Sequence, residues 1–562
     1  MSENVPLVPL PQRVRAEGAG FRPHAPLRVA VPSEDLRRLG EVVAELIARL
    51  HGLDATVQVG DPEAGESADL VLALGTPEEA AGLAPAGGLD PLGGADGGPD
   101  ARERHELTVT PAGARVIAAA PEGLFRGATA FAQLLRPAAP GVSGPAADAP
   151  GAAGTAEPGA SRTGRAGFEA PGVRVADGPG LAWRGLSLDV VRRFFPVEQV
   201  ERVIDLLALY RFNVLHLHLT DSQAWRLEIP GWPRLTDPAH WVEGTGNGDG
   251  PQHYTRADFR RIVEYAAERF VTVIPEIDMP GHTMAAVRAY PELGGDAAHP
   301  LLSYLDPREA AGFAGDVLRE VAALTPGPYL HIGGDEAFGM PDEPYGEFVA
   351  RALRIVRELG KRPVAWQEAA RSGALGPGDV AQGWIAPDHR FDADELRARI
   401  PEEYHPLVDV VAESFARAPG DLPAAVAAGT PVLASTSAYL YLDRPYAEDS
   451  LLPEQTARRG AVGHESYEPR STREMYGWHP SAVPGLPDGT RLAGVEAAIW
   501  CETVSGFADL AFLLLPRLPG VAEKAWNPEA TPWEGYRARL AAHPAWWERL
   551  GWHDHYRSAD LA

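Results

Sequence analysis

Tyr329-Leu330-His331-Ile332-Gly333-Gly334-Asp335-Glu336-Ala337-Phe338 is the stretch around which the rest of the chain falls into place. An apolar run carrying one histidine reads as a buried strand. It stops on two glycines and delivers two adjacent carboxylates. On a regular strand Asp335 and Glu336 would face opposite ways, so both reach one pocket only if the strand ends and turns there. Gly333 and Gly334 permit that turn and leave room beside the backbone. Two close carboxylates tend to divide their acidities, one ionised and one protonated, which suits acid catalysis at an acetal. The plainer reading is a strand end followed by a solvated acidic helix start. The surrounding chain decides between the two.

Outward from this stretch, a strand-then-helix rhythm begins after Gly180. The strand candidates are Ala182 to Asp189, Asn213 to Thr220, Val271 to Ile277, Tyr329 to Gly334, Pro363 to Gln367, Val380 to Ile385, Pro431 to Ser437 and Gly494 to Trp500. Several are near-continuous apolar runs, as parallel strands covered on both faces should be. Helical patterns lie between them. Val200, Val203, Ile204 and Leu207 mark one; Thr255 with Asp258 forms a capping pair ahead of Phe259, Ile262, Val263 and Ala266; Phe348 to Leu359 ends at Gly360. Eight such units in roughly 350 residues fit an α/β TIM (β/α)8 barrel with insertions. A doubly wound open sheet is the competing architecture, but no glycine-rich phosphate loop follows an early strand.

In such a barrel the chemistry sits at the C-terminal strand ends. Read in order, those ends carry Asp221, then Glu276, Asp278 and His282, then Asp335 and Glu336. Trp366, Glu368 and Trp384 follow, then Tyr439, Tyr441 and Asp443, then Trp500 and Glu502. Arg184 lies early in the first strand and reaches the site only if it points inward and up. Carboxylates interleaved with tryptophans suit a sugar, whose hydroxyls need acceptors and whose ring faces need apolar cover. His216 and His218 share a strand face and are either metal ligands or hydrogen-bonded interior residues.

The first 175 residues read differently. Leu27 to Val31, Ala55 to Val59 and Asp69 to Leu74 are strand candidates. Ser33 stands where it can cap a helix whose apolar face is Leu36, Leu39, Val43, Leu46, Ile47 and Leu50. His105 to Thr110 and Ala114 to Ala119 form an expected hairpin, and Gly123 to Leu135 a second helix. From Pro137 to about Gly172 the chain is mostly Ala, Gly and Pro, so a linker or disordered loop is expected. The expected organisation is a small α+β domain over 1–136, the linker over 137–172 and the barrel over 173–562.

The 562 residues carry 51 Lys plus Arg against 77 acidic residues, a formal net charge of −26. That balance, with no basic run, speaks against nucleic-acid partners. No stretch approaches the ~20 apolar residues of a membrane helix. Cys501 is the single cysteine, so no intrachain disulfide can form. The N-terminal residues do not read as a secretory signal, and a cytoplasmic location is the expectation.

The barrel half resembles the glycoside hydrolases of family 20, the β-N-acetylhexosaminidases. The matching pieces are Trp183-Arg184-Gly185-Leu186-Ser187-Leu188-Asp189, Leu215-His216-Leu217-His218-Leu219-Thr220-Asp221, and Ile274-Pro275-Glu276-Ile277-Asp278-Met279-Pro280-Gly281-His282. They continue with His331-Ile332-Gly333-Gly334-Asp335-Glu336, Tyr441-Leu442-Asp443 and Glu496-Ala497-Ala498-Ile499-Trp500-Cys501-Glu502. The first domain is similar to the small α+β domain that commonly precedes this barrel.

The resemblance implies a retaining, exo-acting hydrolase that removes terminal β-linked N-acetylhexosamine from an oligosaccharide without a cofactor or metal. The substrate's own acetamido oxygen replaces the enzymic nucleophile. It implies Glu336 as acid–base, Asp335 as holder of the acetamido N–H, and Tyr441 as hydrogen-bond partner of the acetamido oxygen. Trp366, Trp384 and Trp500 would enclose the sugar. Arg184, Asp443 and Glu502 would bind hydroxyls, with Asp221 and His282 behind the catalytic pair. The sequence departs from the family pattern at Ser222, where a second aspartate is usual, in an insertion between Trp384 and Pro431, and near Tyr467, where the family usually offers a tryptophan. Two alternatives stay open: a metal-dependent hydrolase built on His216 and His218, and a non-catalytic sugar-binding barrel.

Overall fold

The computed structural model describes residues 5–60, 68–93, 100–138, 167–245, 250–386, 391–529 and 532–562. Two compact units emerge: Met1–Ala84, Asp100–Gly178 and Gly535–Gly551 form the first, and Pro85–Pro99, Pro179–Glu534 and Trp552–Ala562 the second.

The second unit is a closed barrel of eight parallel strands. They are Trp183–Asp189, Val214–His218, Thr272–Glu276, Tyr329–His331, Arg362–Trp366, Val380–Gly383, Val432–Ala434 and Leu492–Ile499. Each matches an expected strand. The fourth stops three residues early, at His331, because the two glycines already turn the chain. Register runs Gly185 opposite Val214 and Val214 opposite Thr272, and the eighth strand closes on the first with Trp183 opposite Gly494.

Strand alternation stacks the interior in layers. One layer is apolar: Trp183, Val214, Ile274, Tyr329, Val364, Val380, Leu433 and Ala493, one from each strand, with Leu89 packed among them. Two positions further along five of these strands stand His216, Glu276, His331, Trp366 and Gln382, all buried. The apolar layer fills one end of the barrel, and the polar layer above it lies under the strand ends that carry the site.

The helices follow their sequence signals. Arg256–Ala267 opens on a complete capping box between Thr255 and Asp258 and buries Phe259, Ile262, Val263 and Ala266. Asp342–Glu358 ends just before Gly360, whose φ of 76° reverses the chain. Among the described residues no helix is long and apolar enough to cross a membrane.

The first unit holds a seven-stranded mixed sheet in the order Arg13–Ala16, Val173–Asp177, His105–Thr110, Gly113–Ala118, Leu70–Leu74, Leu27–Val31, Ala55–Val59. Helices Arg37–His51 and Pro121–Leu134 belong to it. Two expectations need correcting. Ser33 makes no side-chain cap; a short 3-10 turn, Glu34–Leu36, leads into the helix instead. Val173–Asp177 pairs antiparallel with His105–Thr110 and with Arg13–Ala16, so the first unit extends to Gly178 rather than ending at 136. The tract expected as a linker over 137–172 falls mostly on 139–166, outside the described residues.

Candidate active site

The glycine turn creates the site. Gly333 and Gly334 have φ of 71° and 98°. A Cβ on Gly333 would lie 1.7 Å from Asp278 Oδ1. That oxygen instead accepts the Gly334 N–H at 3.0 Å, and His331 Nδ1 accepts the Gly333 N–H at 3.0 Å. Glu336 and His282 carry left-handed backbones without being glycine, at φ 46° and 52°. Such conformations cost on the order of 1–3 kcal/mol and persist where surrounding contacts fix them.

Both carboxylates line a pocket of about 510 Å³ at the C-terminal strand ends, together with Asp221, His282, Trp384, Tyr441, Trp500 and Glu502. His282 Nε2 lies 3.3 Å from Glu336 Oε2 and 3.6 Å from Asp335 Oδ2, while its Nδ1 lies 3.1 Å from Asp221 Oδ1. Burial disfavours the His282 cation, yet Asp221 and Asp335 hold its pKa well above the ordinary imidazole value. Burial, then the charge of Asp335, pushes Asp278 well above the ordinary carboxylate value and so favours its protonated form. Asp335 Oδ1 is buried and has no hydrogen-bond partner among the described residues. It is an unsatisfied acceptor on a residue that lines the pocket.

Aromatic rings form the walls. Trp384 and Tyr441 stack at 6.2 Å, 6° from parallel, and Trp500 lies 6.0 Å from Tyr441. The Trp384 indole donates to both oxygens of Glu368, at 3.2 and 3.1 Å. Burial keeps the Tyr441 phenol well above its ordinary pKa, so it remains an O–H donor. Trp366 sits one layer deeper, 6.0 Å from Trp500, with its indole donating to Glu276 at 2.7 Å. Asp443 is likewise deeper. Its carboxylate is buried, and burial, then Glu502, holds its pKa high against the backbone N–H groups of Asp443 and Trp500.

Arg184 is not a site residue. It stands at the second position of its strand, at the far end of the barrel from the pocket. Its guanidinium donates to the carbonyls of Arg211, Leu181 and Ala182. The pocket arginine is Arg192, three residues past the end of the same strand. It lies 2.8 Å from Asp221 Oδ2, 3.6 Å from Glu502 Oε1 and 5.3 Å from the Trp500 ring. The rule of reading C-terminal strand ends points to Arg192; applying it to the whole first strand instead of its end misses it.

The insertion after Trp384 also reaches the pocket, which sequence reading did not foresee. Phe391, Asp392, Glu395, Leu396, Arg399 and Phe415 line it, opposite the segment His464 to Pro469. Tyr467 stands in that segment, 6.0 Å from Tyr441. An ion pair between Arg399 and Glu465 joins the two walls. His216 and His218 take the interior role: each ring nitrogen faces a carboxylate, from Glu496, Glu276 or Asp221, at 2.5 to 3.1 Å.

A closed parallel barrel with a carboxylate pair and an imidazole at its strand ends, beneath walls of indole and phenol, defines a sugar-cleaving barrel enzyme. Comparison with known proteins gives the family. Residues 181–342 and 340–529 match the model for the glycosyl hydrolase family 20 catalytic domain, and 4–157 that for domain 2 of the same family. A β-N-acetylhexosaminidase of Cellulomonas fimi is 38% identical over 401 residues, 68% of this chain and 71% of that one. A β-hexosaminidase of Porphyromonas gingivalis is 29% identical over 94% of this chain and 61% of its own length. The solved Streptomyces plicatus N-acetyl-β-hexosaminidase, in complex with thio-NAglucal, superposes with a TM-score of 0.75 at 33% identity, covering 99% of this chain and 97% of that one. The chain belongs to glycosyl hydrolase family 20. Its activity is the exo-acting hydrolysis of terminal β-linked N-acetylhexosaminides by substrate-assisted catalysis.

Proposed function

We propose the following residue roles and substrate: the chain releases N-acetylglucosamine or N-acetylgalactosamine from the non-reducing ends of oligosaccharides, with Glu336 as acid–base and Asp335 and Tyr441 as handlers of the acetamido group. The observation that carries this reading is the buried, unpartnered Asp335 Oδ1 in a pocket that also holds Glu336 and Tyr441. In the first step the acetamido carbonyl oxygen bonds to the anomeric carbon as the bond to the leaving oxygen breaks. Glu336 gives its proton to that oxygen. Asp335 accepts the acetamido N–H and opposes the positive charge that develops on the oxazolinium ring. Tyr441 donates to the acetamido oxygen and aims it. In the second step Glu336 takes a proton from water, water bonds to the anomeric carbon, and the ring reopens with net retention.

Trp384 and Trp500 cover the sugar faces, while Glu502 and Arg192 meet the hydroxyls. Phe391, Phe415 and Tyr467 offer apolar surface to the departing residue. The test is a panel of aryl β-glycosides with and without the 2-acetamido group. The N-acetylglucosaminide is cleaved and the plain glucoside is not; comparable rates on the two overturn substrate assistance. Activity persists in excess EDTA; loss that zinc restores favours the metal-dependent reading instead.

A further inference from the structure

The contacts behind Glu336 do not stop at Asp221. The second oxygen of Asp221 lies 2.8 Å from His218 Nε2, and His218 Nδ1 lies 2.5 Å from Glu276 Oε2. The same Glu276 oxygen lies 3.1 Å from His216 Nε2, and His216 Nδ1 lies 2.8 Å from Glu496 Oε1. These five side chains are at most 1% exposed. Carboxylates and imidazoles thus alternate without a gap from the polar layer of the barrel to His282. A buried carboxylate with no cation beside it is costly, and a buried imidazolium equally so; alternation lets each stabilise the next.

We propose that His218, anchored by Glu276, is a positioning residue for the acid–base group: it holds Asp221 in place as the partner of His282, and so aims His282 Nε2 at Glu336. The inference rests on Glu336 being the acid–base residue. The surroundings agree with it. Burial disfavours a charged His216, yet Glu276 and Glu496 raise its pKa to about 9. Against the same opposition, Glu276 and Asp221 raise His218 well above the ordinary value.

Other charged groups face the chain from each neighbouring strand. Asp278 of the third strand end lies close to His218 and Glu276, and the Trp500 edge closes the eighth-strand side. Glu276 also meets His331 of the fourth strand at 3.1 Å. Arg192, from beyond the first strand, shares Asp221. Glu336 itself faces His282 and adds its charge to the surroundings of Tyr467.

The test is the pH profile of kcat/KM on an aryl β-N-acetylglucosaminide. His218→Gln removes the cation between two carboxylates, so the potential at His282 and Glu336 becomes more negative. The alkaline limb then moves to higher pH, by a few tenths of a unit or more. In a His282→Gln background the same substitution moves the limb less, because only its direct through-space effect on Glu336 remains. A rate loss equal at every pH and in both backgrounds is the signature of a merely structural residue and overturns the proposal. A wild-type enzyme that is active while the limb does not move overturns this inference alone, whereas failure to cleave the aryl glycoside overturns the reading of function. If His218→Gln does not fold, wild type and Glu336→Gln are compared by NMR with 15N-labelled histidine. The His218 ring N–H resonance moves between the two if the chain is coupled; an unmoved resonance, with His282 shifting alone, overturns it.

Discussion

His282 Nε2 stands 3.3 Å from Glu336 Oε2, and the two residues reach that distance from left-handed backbones on different strand ends, at φ 52° and 46°. The strain on both sides is repaid by geometry: an imidazole with Asp221 on its far nitrogen faces the carboxyl that we propose both gives and takes a proton. Asp335, one residue away, presents an oxygen with no protein partner among the described residues. Two adjacent carboxylates therefore stand in different surroundings, and replacing each should have a different kinetic signature.

Glu336→Gln removes the proton donor and keeps the shape. A sugar alcohol leaves only with a full proton, so cleavage of a natural disaccharide falls by roughly 10²- to 10⁴-fold. The deficit of the first step shrinks for an acidic phenol, which departs with little protonation. Asp335→Asn leaves the acid in place and weakens orientation and charge stabilisation of the acetamido group, so its loss is alike for good and poor leaving groups. Steady-state and burst kinetics on a graded series of aryl glycosides check this. The same leaving-group dependence in both variants would sink the division of labour.

The two arginines of the first strand and its loop separate by measurement. Arg192→Ala takes a cation from Asp221, Glu502 and Trp500, and kcat/KM falls roughly 10- to 100-fold, as expected for lost hydrogen bonds to charged groups. Arg184→Met leaves KM unchanged and lowers the melting temperature, since three buried carbonyls lose their donor. A KM effect at Arg184 with none at Arg192 would reverse the placement.

Gly333→Ala tests the turn. Left-handed backbone alone costs an L-residue about 1–2 kcal/mol, and the added Cβ would overlap Asp278 Oδ1. Thermal unfolding should show a loss above that figure, and activity should fall with it because Asp335 and Glu336 follow directly. A variant of unchanged stability and rate would show that the turn relaxes at no cost.

Stability should fall on both sides of about pH 6.5, in different parts of the molecule. His216 in the barrel has its pKa raised to about 9, although burial opposes it, by Glu276 and Glu496. Its contribution is complete below the unfolded value and is lost as pH rises through about 9. His543, in the first unit, is driven down to about 3, chiefly by burial. The unfolded chain there binds a proton that the folded one refuses, so stability falls as pH drops from 6.5 towards 3. Hydrogen exchange read by mass spectrometry localises the effects. Acid should loosen the segment around His543 first and alkali the barrel strands; the opposite order would contradict both assignments.

The sequence by itself determined the barrel, the helices outside it and the adjacent carboxylates Asp335 and Glu336 at a strand end. Those follow from local rules: period-two and apolar runs mark covered strands, Thr255 and Asp258 cap a helix between near neighbours, and Gly333-Gly334 permits a turn that brings two carboxylates to one pocket. Tertiary structure alone decided which residues meet across the strands. Arg184 and Arg192 lie eight residues apart and are equally basic, and only their height along the first strand sends one to the far end and the other to the pocket. Val173–Asp177 joined the first sheet because its partners, His105–Thr110 and Arg13–Ala16, are distant in the chain. Trp366 and Asp443 sank below the pocket surface, and the inserted segment brought Phe391 and Phe415 to its rim, through packing that no local pattern encodes. The buried chain from Glu496 to His282 joins three strands and two loops; its spacing is set by barrel register, and register is a property of the closed sheet rather than of any one strand.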